Sequence, residues 1–136
     1  MNKNLLTLIP GLIAVLAMAV PAHAGDIVVV MSPSASALTK DQVAKLYLGR
    51  SNDLKPLDLP SSSPIRDAFY KRATDRDAAQ IKALWSRITF TGEGLPPKEV
   101  ADAAAVKKAV AADPKAIGYI EKADVDASVK VILELN

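Results

Sequence analysis

The sequence predicts an α/β domain in which a mixed sheet is flanked by helices. Ile27–Met31 is an unbroken apolar run, typical of a strand buried on both faces. Residues 116–120 form a second apolar run, and in residues 129–135 an apolar side chain stands at every second position, as in a strand with one buried face. Helical periodicity fills much of the chain between the first two runs. Strands separated by helices in this order indicate an α/β fold.

The first helix is predicted soon after the first strand. Thr39 stands three residues before Gln42, which is the spacing of a capping box. Gly49 marks the end of the helix, because glycine readily adopts the left-handed conformation that terminates many helices. One apolar stripe of this helix is expected to be buried, formed by Val43, Leu46 and Tyr47.

Two further helices are predicted in the middle of the chain. The loop over residues 50–63 contains a candidate strand at 57–59. Ser63 followed by Pro64 predicts a helix start, with the serine as N-cap and the proline at the first helical position. The next helix is expected over about residues 77–87. The apolar faces of the two helices comprise Ile65, Ala68, Phe69 and Ala73, and Ile81, Leu84, Trp85 and Ile88.

The C-terminal part begins with an irregular loop, predicted from the glycines and prolines of residues 89–98. Asp102 is the predicted N-cap of a helix that ends at Asp113 and Pro114. The side chains expected to face the core are Val106, Ala109 and Val110 in this helix, and Val129, Val131, Leu133 and Leu135 in the final strand.

Residues 1–24 are predicted to be a cleaved secretory signal peptide. Lys3 precedes an apolar stretch that ends before small residues at Ala22 and Ala24, the pattern that signal peptidase cleaves. A transmembrane anchor is disfavoured, because residues 5–20 are fewer than the ~20 needed to cross a bilayer. We therefore expect a periplasmic protein formed by one domain, residues 25–136.

The composition excludes several classes of function. The chain has no cysteine, and its one histidine, His23, lies in the predicted leader. Nucleophilic catalysis by a Ser-His or Cys-His pair is therefore excluded, and we expect no enzymatic activity, cofactor or metal site. The net charge of +2 falls by one when Lys3 is removed. No basic cluster is evident along the sequence, so binding to nucleic acid or to a membrane surface is not expected. Once the signal peptide is cleaved, no membrane insertion is expected.

Several short segments resemble one lobe of the phosphate-binding subunit of bacterial phosphate ABC importers, a type II periplasmic binding protein. They occur in the family's order and cover nearly all of residues 25–136. The resemblance implies the fold of one such lobe, whereas the family clamps its ligand between two lobes. The resembling segments are Leu38-Thr39, Tyr47-Leu48-Gly49-Arg50, Ser63-Pro64-Ile65-Arg66-Asp67-Ala68-Phe69, Gly92-Glu93-Gly94 and Ala116-Ile117-Gly118-Tyr119-Ile120-Glu121.

The resemblance also implies where a phosphate site would lie. The family holds phosphate with a Ser-Gly-Thr turn at a helix N-terminus, preceded by an arginine and an aspartate. Ser63 matches the family serine, whereas Pro64 and Ile65 stand at the glycine and threonine positions. Leu59 and Ser61 stand at the arginine and aspartate positions. Most of the family's ligand-binding side chains are therefore replaced.

The residues themselves still predict a weak anion site at the start of the helix after Ser63. The amides of Ile65 and Arg66 are expected to be unpaired, and the positive end of the helix dipole attracts anions. Ser61, Ser62 and Ser63 would add hydroxyls, Arg66 a charge, and Gly94 a backbone amide. The alternative is that Ser63 only caps its own helix, that its neighbours are turn residues, and that Arg66 is a solvated charge.

Two functions remain open at this stage. The first is a periplasmic lobe, related to the phosphate importers' binding component, that recognises phosphate or another oxyanion at millimolar strength. A second wall, supplied by an envelope protein or a second copy, would be needed to tighten this site. The alternative is a ligand-free lobe that serves as a protein-protein interaction module in the envelope.

Overall fold

The computed structural model describes residues 25–136, and the predicted signal peptide lies outside them. No helix in this range is long and apolar enough to cross a membrane. The described elements are β1 (Ile27–Met31), α1 (Lys40–Tyr47), β2 (Lys55–Asp58), α2 (Pro64–Thr74), α3 (Ala78–Phe90), β3 (Lys98–Glu99), α4 (Ala103–Ala112), β4 (Ala116–Glu121) and β5 (Lys130–Leu135), with a 3-10 turn at Lys122–Asp124.

The strands form one mixed sheet in the order β3-β2-β4-β1-β5. Strand β2 runs parallel to β3 and β4, whereas β1 runs antiparallel to β4 and β5. All five residues of β1 are buried, as its apolar run predicts. The predicted α/β class with a mixed sheet and flanking helices is confirmed.

The predicted alternation in β5 is wrong at Ile132. An inward face formed by Val129, Val131, Leu133 and Leu135 places Ile132 on the outer face, but its side chain is only 3% exposed. A β-bulge explains the difference, because Val29 pairs with Leu133 while Val30 pairs with Val131, so that Ile132 is the extra residue. The bulge resets the alternation and leaves Val131 and Leu133 half-buried.

The helix starts agree with the sequence signals. Thr39 and Gln42 form the predicted capping box, with reciprocal bonds of 2.9 and 3.2 Å. Asp102 caps α4 by accepting from the amide of Ala105 at 2.9 Å. Helix α3 starts as predicted but continues to Phe90, and the left-handed Gly92 follows its end.

The predicted irregular loop 89–98 therefore needs correction at both ends. Its first residues belong to α3, and Lys98 opens β3, a two-residue edge strand beside β2. Leu57 pairs with Lys98 and Asp58 with Glu99. The amide of Val100 then donates to the carbonyl of Asp58 at 2.8 Å, which extends the pairing by one bond. A strand of two residues is too short to show a periodic pattern in the sequence, so β3 is recognisable only from its pairing with β2.

The core combines an aliphatic sheet with an aromatic cluster. Helix α4 packs closely on β4 at Gly118, where an added Cβ would lie 2.5 Å from Cγ1 of Val106. On the other side, Phe69 stacks on Tyr119 with ring centroids 3.8 Å apart. Tyr47 meets the Phe69 ring edge-on at 4.7 Å. The aromatic cluster thus joins α1, α2 and β4.

Candidate functional site

The turn before α2 is the predicted anion site, and some of its backbone amides already donate hydrogen bonds within the protein. The amide of Ser63 donates to the carbonyl of Pro60 at 2.8 Å, and the amide of Arg66 donates to the carbonyl of Ser63 at 3.3 Å. The expectation of a free Arg66 amide is therefore wrong, because the first turn of α2 tightens into an i to i+3 bond. The Ser63 side chain makes no capping bond. Within residues 25–136, the amide of Ile65 donates no hydrogen bond.

Arg66 is paired internally. One guanidinium nitrogen donates to the carbonyl of Leu59 at 2.9 Å. The guanidinium also lies 3.6 Å from the carboxylate of Asp58 and 3.9 Å from that of Glu99. Its carbon stands 5.8 Å from the centre of the Tyr70 ring. Two carboxylates therefore neutralise the charge that sequence reasoning assigned to an anion.

The carboxylate of Asp58, at the end of β2, is buried, and no local sequence pattern had identified it as part of the site. Asp58 is 4% exposed. It accepts hydrogen bonds from the phenol of Tyr70 at 2.5 Å, from the phenol of Tyr119, and from the amide of Leu59 at 2.8 Å. A charged residue between two leucines in a candidate strand was the available signal, since a buried carboxylate needs several donors.

The three tyrosines around this carboxylate have strongly perturbed acidities. Burial, followed by the negative charge of Asp58, raises the pKa of Tyr70 and of Tyr119 far above the ordinary value. The pKa of Tyr47 is raised in the same way, although its phenol donates to the carbonyl of Leu57 at 2.7 Å. All three phenols therefore stay protonated and act as donors across the physiological range.

The hollow beside the α2 turn, about 280 Å³ in volume, has acidic walls. Ser62 and Ser63 are among the residues that line it. The other residues around it include the carboxylates of Asp102, Glu121 and Asp124. An anion entering this hollow would meet carboxylates of its own sign as well as the helix terminus, which weakens its attraction to the site.

The six predicted anion contacts lie in three places. Ser62, Ser63 and Ile65 line the acidic hollow. Ser61 and Arg66 line a groove of about 880 Å³ that also borders α3. Gly94 lines a third hollow. The acidic hollow thus brings together only half of the predicted set.

Helix α3 combines core packing with exposed apolar residues near its C-terminal end. Ile81 is buried, and Leu84 and Trp85 pack half-buried against the core. Phe90 is 93% exposed and Leu95, in the following loop, is 81% exposed. The indole nitrogen of Trp85 is buried and has no hydrogen-bond partner among residues 25–136.

The acidic turn after β4 is held by protein groups. Asp126 accepts from the hydroxyl and the amide of Ser128, and its carboxylate lies 3.0 Å from the ammonium of Lys107. These contacts, led by the Ser128 hydroxyl, lower the pKa of Asp126 to about 2. In the described part of the chain, no group of three or more His, Cys, Asp or Glu residues is arranged to hold a metal ion.

The fold resembles solved phosphate-transport proteins. An ABC-type phosphate transport receptor from Vibrio cholerae matches 78% of this chain with a TM-score of 0.59 and 20% identity. A Clostridium perfringens protein, assigned as a phosphate ABC transporter substrate-binding protein and solved with bound phosphate, matches 78% with a TM-score of 0.61 and 20% identity. PstS from Borrelia burgdorferi matches 78% with a TM-score of 0.56 and 13% identity.

The match covers less than half of each of those proteins, at 44%, 43% and 46% of their respective lengths. No family profile matches this sequence. No match is found among curated proteins either. Residues 25–136 therefore have the fold of part of a phosphate-transport substrate-binding protein, as the sequence resemblance implies.

Proposed function

We propose that this protein is an exported, periplasmic lobe that recognises phosphate or another oxyanion weakly, without catalysing a reaction. The observation that carries the proposal is the turn before α2. It presents the Ser63 hydroxyl, which makes no capping bond, beside the amide of Ile65, which donates to no group in the described part of the chain. The fold likeness supports it, because one of the similar structures holds phosphate.

The same geometry limits the affinity. A charge-assisted hydrogen bond contributes about 1.5–3 kcal/mol and a helix terminus at most about 2 kcal/mol, whereas micromolar binding requires about 8 kcal/mol. Arg66 adds little, because Asp58 and Glu99 already neutralise it. The carboxylates around the hollow oppose binding further. Millimolar affinity is the expected result for this lobe alone.

Tighter binding requires a second wall that excludes water, as the closing lobes of binding proteins provide. The wall would cover the hollow at Ser62 and Ser63 and contribute the positive charge that the hollow lacks. An envelope protein or a second copy of the chain are the two sources that fit the proposal.

The experiment is an amide chemical-shift titration with phosphate, sulfate and chloride at constant ionic strength. We expect saturable shifts at Ser62, Ser63 and Ile65 with the tetrahedral oxyanions and none with chloride. Ser63→Ala should weaken this response, whereas Ser86→Ala on the exposed face of α3 should leave it unchanged. Flat titrations, or shifts that ignore Ser63→Ala, would exclude the turn as an oxyanion site.

A second candidate is favoured by a separate observation. Phe90 lines the groove along α3 and is 93% exposed, and Leu95, in the loop after α3, is 81% exposed. Large apolar side chains exposed to this degree are typical of protein-binding surfaces. Together with the acidic hollow, they favour an envelope protein-protein interaction module that has lost its anion ligand.

The two functions separate in a thermal unfolding assay. An oxyanion-binding lobe gains stability as phosphate saturates it, whereas an interaction module shows only the general effect of salt. A photo-crosslinking residue placed at Phe90 in living cells tests the module directly. A discrete crosslinked envelope partner supports it, and a crosslink pattern equal to that from exposed Lys108 contradicts it.

A further inference from the structure

A basic hollow lies between the C-terminal end of α1 and helix α3, and no function discussed so far uses it. Its volume is about 290 Å³. Arg50 follows α1, Arg76 precedes α3, and Arg87 belongs to α3, yet all three line this one hollow. Glu93 is the one acidic residue among its lining residues. Side chains distant in sequence thus concentrate positive charge at one place.

The guanidinium groups of these three arginines are available to bind a ligand. Within residues 25–136, none of the side chains of Arg50, Arg76 and Arg87 makes a hydrogen bond or an ion pair. Arg66, by contrast, is bound to a carbonyl and two carboxylates. Five donors on each planar guanidinium therefore remain for a ligand.

The charge pattern is informative because the protein as a whole is nearly neutral, with a net charge of +2. Three like charges around one concavity repel one another unless an anion lies between them. Arginine is also the residue best suited to phosphate, because its planar fork makes paired hydrogen bonds to two oxygens. The cluster therefore selects a phosphate-like group over a halide.

Two glycines and a tryptophan line the hollow together with the arginines. Gly94, predicted from the sequence as an anion contact, lies here, and its amide donates no hydrogen bond within the described residues. Gly49 lies against the Trp85 ring, where an added Cβ would approach the indole to 3.0 Å. Gly49 thus leaves room for the indole, which forms part of the lining beside the arginines.

We propose that this hollow is an oxyanion site for ligands that carry a phosphate group with two or more negative charges. Arg50, Arg76 and Arg87 supply the charge, and Gly94 offers a backbone donor. Asn52, which also lines the hollow, adds a neutral amide. The site is separate from the α2 turn and does not depend on it.

Trp85 makes the proposal directly measurable, because it is the only tryptophan in the sequence and it lines the hollow. The experiment uses the full sequence, expressed in cells and purified in the form that the cells produce. Its fluorescence is titrated with pyrophosphate, phosphate and chloride at constant ionic strength. We expect a saturable change that is strongest with pyrophosphate, weaker with phosphate and absent with chloride.

The variant Arg76→Ala/Arg87→Ala should weaken pyrophosphate binding by at least about tenfold, since charge-assisted bonds to phosphate are lost. Lys71→Ala/Lys108→Ala removes the same number of charges away from the hollow and should leave the affinity unchanged. Ser63→Ala should also have no effect, which separates this site from the α2 turn. Thermal unfolding checks that each variant is folded, and Arg87→Lys, which keeps the charge, should show an intermediate affinity.

A phosphate group can come from solution or from a lipid headgroup, and a second arm distinguishes these sources. Co-sedimentation with phosphatidylglycerol vesicles that is lost in Arg76→Ala/Arg87→Ala identifies a headgroup, and a pyrophosphate response without co-sedimentation identifies a soluble ligand. The proposal is overturned if neither probe binds, or if the arginine and lysine double variants behave alike.

Discussion

The phenol of Tyr70 donates to one carboxylate oxygen of Asp58 at 2.5 Å, and the phenol of Tyr119 donates to the other. The two tyrosines come from α2 and β4, and the carboxylate ends β2. A single buried charge therefore ties together three elements that are far apart in sequence. The same carboxylate faces Arg66 at 3.6 Å, so the arrangement also determines where that guanidinium lies.

Removing this carboxylate should destabilise the fold strongly. We expect Asp58→Ala to lower the free energy of unfolding by about 3 kcal/mol, because two phenols, one amide and Arg66 lose their acceptor at once. Chemical denaturation of Asp58→Ala and of the exposed Asp26→Ala provides the comparison. Equal stability of the two variants would contradict a structural role for Asp58.

The tyrosines predict a loss of stability at high pH. Below about pH 10 the phenols are protonated in both the folded and the unfolded chain, so they cause no pH dependence. Above this pH the unfolded chain releases phenolic protons that the folded protein retains, because its three tyrosines have raised pKa values. Stability should fall by about 1.4 kcal/mol per pH unit for each tyrosine.

An alkaline titration followed by phenolate absorbance and by circular dichroism tests this expectation. The sequence contains three tyrosines, all of them in this cluster, so no tyrosine with an ordinary pKa contributes to the phenolate absorbance. We expect the phenolate signal to appear together with unfolding, in one cooperative step. If a tyrosine ionised near pH 10 while the protein remained folded, its phenol would not be buried beside Asp58, and the prediction would be contradicted.

A comparison of Gly49 with Gly92 distinguishes the cost of backbone strain from the cost of a steric clash. Both have left-handed backbones, with φ of +73° and +72°. An added Cβ at Gly49 would approach Trp85 and Ile88 to 3.0 and 3.1 Å, whereas at Gly92 it would meet nothing within 4 Å.

We therefore expect Gly92→Ala to cost about 1 kcal/mol and Gly49→Ala about 2 kcal/mol or more. Denaturant titrations measure both costs. Only Gly49→Ala should also shift the Trp85 emission, because only that methyl group reaches the indole. Equal costs and unchanged emission would mean that the ring is free to move away.

Ser63 and Arg66 should behave oppositely when replaced. Arg66→Ala is expected to lower the free energy of unfolding by about 2 kcal/mol, since the Leu59 carbonyl and the buried Asp58 lose a partner. Ser63→Ala should leave stability nearly unchanged and weaken the response to phosphate. Calorimetric unfolding measures the stability of each variant, and a phosphate titration measures its response to the anion. Loss of phosphate binding in Arg66→Ala at unchanged stability would restore Arg66 as an anion contact.

Local signals in the sequence were sufficient for much of the fold. The apolar run of β1, the Thr39–Gln42 capping box and the Ser63-Pro64 helix start depend on neighbouring residues, so each is visible without tertiary structure. The bulge at Ile132 was not predictable in this way. It arises from how β5 pairs with β1, and the apolar alternation of β5 alone cannot reveal it.

The candidate site was predicted less well for a similar physical reason. A sequence shows that Arg66 occupies the first turn of α2, but not that Asp58 and Glu99 lie within reach of it. The basic hollow was invisible because Arg50, Arg76 and Arg87 are far apart along the chain. Charge concentrated by folding leaves no charged run in the sequence.

The bulge in β5 has a further consequence at the edges of the sheet. Strands with long, flat edges invite pairing with other molecules and so promote aggregation. Here β5 is twisted by its bulge and carries exposed Lys130 and Glu134, while the opposite edge, β3, is two residues long. Its neighbours Pro96 and Pro97 lack amide donors with which an incoming strand could pair. Both edges of the sheet thus discourage strand addition, which favours a chain that remains dispersed at high concentration.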